Sequence, residues 1–119
     1  MAERQRKPKA GNVNRLAQVK RLPCIACVTG GVTWNQCGPS EVHHLNLGGK
    51  AGQKRRGDKY TIPLGVWHHR GDPRSGWTAT EMADVYGPSL ARQSKAFRLR
   101  FGCDEYLLDR TNAMLRKTT

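Results

Sequence analysis

The sequence predicts a small α+β domain: an antiparallel pair of strands feeding a helix, with further helices on either side and a metal as staple. Three observations lead there. All four histidines fall between Glu41 and Arg70, as the pairs His43-His44 and His68-His69, one pair at each end of the stretch. A Cys-x2-Cys turn, Cys24 and Cys27, stands upstream of them. Apolar residues recur at helical spacing before and after this core.

A chain of 119 residues is one domain by size, with room for one modest core. Hydrophobic residues make up only 37%, which suits a domain that a structural metal helps to hold. Lys and Arg number 21 against 9 Asp and Glu, a net charge of +12 that favours a polyanionic partner, most often nucleic acid. No apolar run approaches the roughly 20 residues that span a bilayer, so no membrane partner is expected. The basic N-terminus has no hydrophobic stretch behind it and does not read as an export signal. The four cysteines are therefore expected in a reducing cytoplasm, where metal binding outranks disulfide formation.

Residues 1–12 carry Arg4, Arg6, Lys7 and Lys9 without apolar periodicity and read as a disordered basic arm, ahead of a domain spanning 13–119. The arm either tracks phosphates or is a plain solvated terminus. From Asn14, the residues Leu16, Val19 and Leu22 predict a short helix that Pro23 ends. Cys24 and Cys27 then present two thiolates to one tetrahedral Zn2+. A redox dithiol would want a strand-to-helix context that the sequence does not offer. Two buried thiols without a ligand are the plain alternative.

A Gly-punctuated loop with Trp34 and Cys37 leads to a strand at Glu41–Leu45 and a turn at Asn46-Leu47-Gly48-Gly49. The next loop carries Lys50, Lys54, Arg55 and Arg56. Beside a metal centre such a loop would hold a phosphodiester; alone it is a solvated charge run. Thr61-Ile62-Pro63-Leu64 reads as the returning strand, with Pro63 at its edge or end. Val66–Arg70 begins a helix that Gly71-Asp72-Pro73 breaks. Thr78 or Thr80 can cap a helix reaching Tyr86. A second, over Ser89–Phe101, puts Leu90, Phe97 and Phe101 on one face. Asp104 caps a last helix whose apolar positions are Tyr106, Leu107, Leu108, Met114 and Leu115, and Cys103 is expected to be a small buried residue.

Imidazoles bind divalent metals and move protons near neutral pH. Phosphodiester hydrolysis needs a base for the attacking water and a cation to offset charge on the phosphate and the leaving oxygen. Two histidine pairs across a hairpin can supply both. Neighbours on a regular strand point to opposite faces, so His43 and His44 diverge unless a bulge turns them together. For the second pair, one ring is assigned to the cysteine zinc and the other to the cleft.

Taken together, Cys-x2-Cys, Glu-Val-His-His-Leu, the Gly/basic loop, Thr-Ile-Pro-Leu and His-His-Arg-Gly resemble the ββα-metal fold of HNH endonucleases. The closer resemblance is to phage recombination-enhancement nucleases of the Ref type, whose cleavage depends on a RecA filament. The likeness covers roughly residues 16–115, including Phe-Gly-Cys-Asp-Glu-Tyr-Leu-Leu. It implies a DNA endonuclease in the cytoplasm of a bacterial host, leaving a 5′-phosphate and a 3′-hydroxyl. By the same resemblance His43 and His69 hold the catalytic divalent metal, and His44 is the general base. His68 joins Cys24 and Cys27 at a structural Zn2+. Where the family has Pro-Leu-Cys this chain has Pro-Leu-Gly, so Cys37 is expected as the fourth zinc ligand in place of Gly65. The family's central Asn falls near Tyr60, and Asp58 is the nearest group to assist the metal or orient His44, or else to pair with Arg55 or Arg56. With Asp72-Pro73 after the helix start, the catalytic metal keeps several waters, which suits Mg2+ or Mn2+, with Zn2+ also compatible. Lys50, Lys54, Arg55, Arg56 and Arg70 are the expected DNA contacts. The competing reading is a zinc-stabilised nucleic-acid-binding module without catalysis, serving recombination or packaging proteins.

Overall fold

The computed structural model describes residues 7–31, 37–46 and 57–118, with side chains for 14–31, 37–46 and 57–117. Helix α1 (Lys7–Arg21) and a short α2 (Ile25–Thr29) precede strands β1 (Ser40–His44) and β2 (Thr61–Gly65). Helix α3 (Val66–Arg70) follows β2 directly, and α4 (Ala79–Tyr86), α5 (Ser94–Phe101) and α6 (Asp104–Thr118) complete a small α+β fold. Among the described residues no helix is long and apolar enough to cross a membrane.

The strands pair antiparallel in an unbroken register, from Ser40 opposite Gly65 to His44 opposite Thr61. Side chains alternate along such a ladder. Glu41 and His43 therefore share a face with Ile62 and Leu64, while Val42 and His44 share the other with Thr61 and Pro63. The backbone bond from Leu45 N to the Tyr60 carbonyl, at 2.9 Å, sets the phase of the ladder. That phase puts Pro63 at a non-bonded position opposite Val42, where a missing N–H costs no ladder bond.

A two-stranded ribbon is marginal by itself and needs cover. On the Ile62 and Leu64 face lies the main core, with Leu45, Trp67, Met82, Phe97, Phe101 and Leu107. Each such buried side chain contributes on the order of 1.5–3 kcal/mol. On the other face Val42 meets a smaller cluster of Val19, Leu22 and Leu115, brought by α1 and α6. Arg15 of α1 fastens that side, donating from Nε to Thr61 Oγ1 at 3.0 Å and through its other nitrogens to the Thr61 carbonyl (2.9 Å) and Asn112 Oδ1 (2.8 Å). The ribbon is thus a partition between two packed layers.

Three local expectations are corrected. Helix α1 begins at Lys7, so residues 7–12 of the expected disordered arm are helical, while 1–6 lie outside the described residues. Pro8 falls in the first turn, where its missing N–H has no helical partner to lose. Helix α5 begins at Ser94 rather than Ser89. Leu90 N donates to the His68 carbonyl (2.8 Å), Arg92 N to Ser89 Oγ (3.1 Å) and Arg92 Nε to the Gly71 carbonyl (2.7 Å), and these bonds hold the preceding residues in turns. Cys103 is exposed, not buried. It sits at the mouth of α6, its carbonyl accepting from Leu107 N at 3.0 Å. Thr78 does cap α4, accepting from Glu81 N while its own N–H donates to the Glu81 carboxylate.

Candidate functional site

Cys24, Cys27, Cys37 and His68 come together in the interior, their ligand atoms all within 4.8 Å of one another. Each arrives from a different point of the backbone. Cys24 is the residue before α2, Cys27 lies one turn into it, Cys37 precedes β1, and His68 is on α3. His68 Nδ1 lies 3.4 Å from Cys24 Sγ and 3.7 Å from Cys27 Sγ, and Cys27 Sγ is 3.3 Å from Cys37 Sγ. A tetrahedral ion with bonds of about 2.3 Å to sulfur and 2.0–2.1 Å to nitrogen spaces its ligands by roughly 3.4–3.8 Å. These three separations sit close to that spacing. His68 Nε2–H donates to the Tyr86 carbonyl at 2.9 Å, which leaves the Nδ1 lone pair for the cluster. Phe97 and Phe101 flank its ring.

The protonation of these groups points the same way. Burial opposes ionisation of Cys24, yet hydrogen bonds from Cys27, Cys37 and His68 outweigh it and bring its thiol well below the ordinary range. Cys37 is pushed the other way, first by its bonds to Cys24 and Cys27 and then by burial. Burial works against His68⁺, but the Cys24 and Cys27 sulfurs and the Tyr86 carbonyl raise it to about 9. Three thiolates together would require a cation, so the cluster can hold a structural metal such as zinc.

The second histidine of α3 goes elsewhere. Consecutive helix residues diverge by about 100°, and His69 turns toward β1. Its Nε2 lies 3.3 Å from His43 Nδ1, with the rings edge-on and their centroids 5.0 Å apart. His69 Nδ1–H donates to Glu41 Oε1 at 2.8 Å. That bond fixes the tautomer and leaves Nε2 with its lone pair, the usual arrangement of a carboxylate behind a metal-binding histidine. Two nitrogens bound to one tetrahedral ion at about 2.0–2.1 Å stand roughly 3.3 Å apart, and the same separation lets the two rings share a hydrogen bond. Arg70 grips the same carboxylate, Nε to Oε1 at 2.9 Å and a second nitrogen to Oε2. The Arg70 hydrogen bond is the main reason the Glu41 carboxyl is held down to about 2.

His44 lies across the partition. Its Nε2 is 2.8 Å from Asp58 Oδ1, and with Nε2–H donating, Nδ1 retains the lone pair that a base needs. No bulge turns His44 toward His43. Of the expected site residues, then, the structure brings together Cys24, Cys27, Cys37 and His68; His43 with His69; and His44 with Asp58. Lys50, Lys54, Arg55 and Arg56 lie outside the described residues. Arg70, expected on DNA, is half-exposed and engaged with Glu41 and, at 3.6 Å, with Asp72.

A cleft of about 280 Å³ opens over the His43 and His69 rings, walled by Asn46, Leu90, Ser94 and Arg98. Sequence reasoning missed Glu41 and this wall. Glu41 was legible, since a residue two before His43 on a strand shares its face. Ser94 was not, because nothing in the sequence says that α5 folds back over the hairpin. Arg98 was legible only as one of the basic residues of the expected helix, with Arg92 and Lys95, that line a nucleic-acid face or plain solvent.

Residues 8–116 match the model of a family described as recombination enhancement, RecA-dependent nuclease. The comparison with curated proteins finds no match.

Proposed function

The chain belongs to the recombination-enhancement, RecA-dependent nucleases, and from that premise we propose that it is an HNH-type DNA endonuclease whose hydrolysis of phosphodiester bonds is directed by a RecA filament. The observation that carries the reading is the division of the four histidines by partner: His68 on cysteines, His43 and His69 on each other with Glu41 behind His69, and His44 on Asp58. In this reading the ribbon and α3 form the ββα-metal core.

His43 Nδ1 and His69 Nε2 would hold the catalytic divalent ion, Mg2+ or Mn2+ with Zn2+ also compatible. When bound, that ion offsets charge on the scissile phosphate and the leaving oxygen. Glu41 holds the His69 ring by its Nδ1–H. Asp58 holds His44 in the tautomer whose Nδ1 can accept a proton. As the last residue of β1, His44 would take that proton from water attacking a phosphodiester drawn over the end of the ribbon, where its face and that of His43 meet. Asp58 would stabilise the imidazolium that results. The cysteines and His68 would carry Zn2+ and fix α3, hence the angle of His69.

The test is nicking of supercoiled plasmid with Mg2+ or Mn2+, with and without a RecA filament. His44→Ala is expected to lose roughly 100-fold or more in rate, the usual contribution of a general base, while DNA binding and the melting temperature are kept. Filament-independent nicking would remove RecA from the proposal. Binding without nicking by the parent would leave the non-catalytic zinc module as the better reading.

A further inference from the structure

At the end of the ribbon where β2 begins, against α1 and α6, lies a groove of about 430 Å³, lined by Arg15, Lys59, Tyr60, Asn112 and Arg116 over Leu108 and Leu115. No carboxylate is among the described residues lining it. Lys59, Tyr60 and Arg116 are exposed, Tyr60 by 37%. We propose that this groove is a track for a single nucleic-acid strand, with its phosphates on Lys59 and Arg116 and a base on the Tyr60 ring.

Two features favour a nucleic acid over an acidic protein surface. Basic side chains around an accessible aromatic ring on an apolar floor are what a polynucleotide strand requires, since every base has a face to stack and every linkage a charge to neutralise. The groove is also wired to His44. Arg15 Nε donates to Thr61 Oγ1, Thr61 Oγ1 donates to the Asp58 carbonyl at 2.9 Å, and the Asp58 carboxylate takes His44 Nε2–H. Thr61 and His44 face each other across the ladder, on the side of the ribbon that Arg15 covers. Arg15 itself is committed to Thr61 and Asn112, and burial lowers its pKa. It therefore lends fixed charge to the groove rather than a mobile side chain. A strand lying here reaches the base side of the reaction centre. That last step rests on the nuclease reading above; strand binding by the groove does not.

The experiment is fluorescence anisotropy of a labelled single-stranded oligonucleotide against the metal-loaded protein, without added divalent ions, over a salt series. In the parent, log K should fall linearly with log salt. The double variant Lys59→Gln/Arg116→Gln should flatten that slope by about 1.4, at ~0.7 for each single-strand phosphate that is no longer neutralised. Tyr60→Ala should weaken binding about tenfold or more, and Tyr60→Phe should restore it, because stacking needs the ring and not the hydroxyl. Arg74→Gln, the removal of a positive charge beside Trp77 and Tyr86, should leave the slope unchanged. An unchanged slope in the double variant overturns the proposal, and so does an equal effect from Arg74→Gln or failure of the parent to bind. Oligonucleotide binding that survives the double variant at full strength would leave the groove to an acidic protein instead. Because no cleavage is read, a catalytically silent parent that binds as described would sink the nuclease reading and leave the groove standing.

Discussion

Gly65 marks how little room the cysteine cluster leaves. A Cβ at this position would collide with Cys37 Sγ and lie 2.8 Å from the Gly38 carbonyl oxygen. The sulfur from the loop occupies the space where a side chain at the end of β2 would go. Gly65→Ala should therefore expel Cys37 and destabilise the fold by at least ~1–3 kcal/mol, the range for overpacking a tight interior. A thermal melt with a count of bound metal checks both parts. Glu41 gives a pH prediction with a definite sign. Its carboxyl, ordinarily near 4.5, is depressed to about 2 by Arg70 and His69. A depressed carboxylate adds stability that is complete above its ordinary pKa and lost as pH falls through the folded value. The urea midpoint of Glu41→Gln should lie below that of the parent near neutrality, and the gap should narrow as pH is lowered below 4.5, read over the range in which the domain keeps its metal. A gap that persists in acid would mean that Glu41 contributes through shape and not charge.

At the scale of elements, the helix start at α4 is the cleanest local device. Thr78 and Glu81 exchange side-chain and backbone bonds at its first turn. Thr78→Ala should cost about 1 kcal/mol, a few degrees in melting temperature, with plasmid nicking unchanged. This cap was readable because its chemistry is contained in four consecutive residues. The ribbon was readable for a related reason: Glu41–Leu45 and Thr61–Leu64 are short strand-like runs set off by Gly-punctuated loops, and Gly65 and Gly71 bracket α3. That His68 and His69 diverge also follows from helical geometry, while which of them joins the cysteines came from the family resemblance. Other features depended on distant partners. The start of α5 moved because 89–93 bond to His68 and Gly71, residues some twenty positions earlier. Cys103 faces outward because it opens a helix rather than filling one. The wall of the cleft and the basic groove both arise from helices returning to the ribbon from far along the chain, and no spacing in the sequence announces them.

Across the whole molecule, one cluster joins the element after α1, the approach to β1, and α3 at a single interior point. A metal there contributes directly to folding free energy, because the ligands are not assembled in the unfolded chain. Cys24→Ala, or treatment of the parent with a strong chelator, should therefore convert a cooperative melt into an unfolded baseline. Release of about one equivalent of zinc should accompany it, with the release favoured by acid because protons compete for sulfur and nitrogen. A Cys24→Ala chain that folds normally and keeps its zinc would refute the assignment. The unbroken register of the ribbon has a consequence for repair by neighbours. Although His43 and His44 are consecutive, neither can serve as understudy for the other, since each looks out from its own side of a wall one backbone thick. A chain that loses one still carries an imidazole a single residue away, aimed where it is of no use. Restoring function would require sliding the strand by one position, which would turn Glu41 and Val42 around as well.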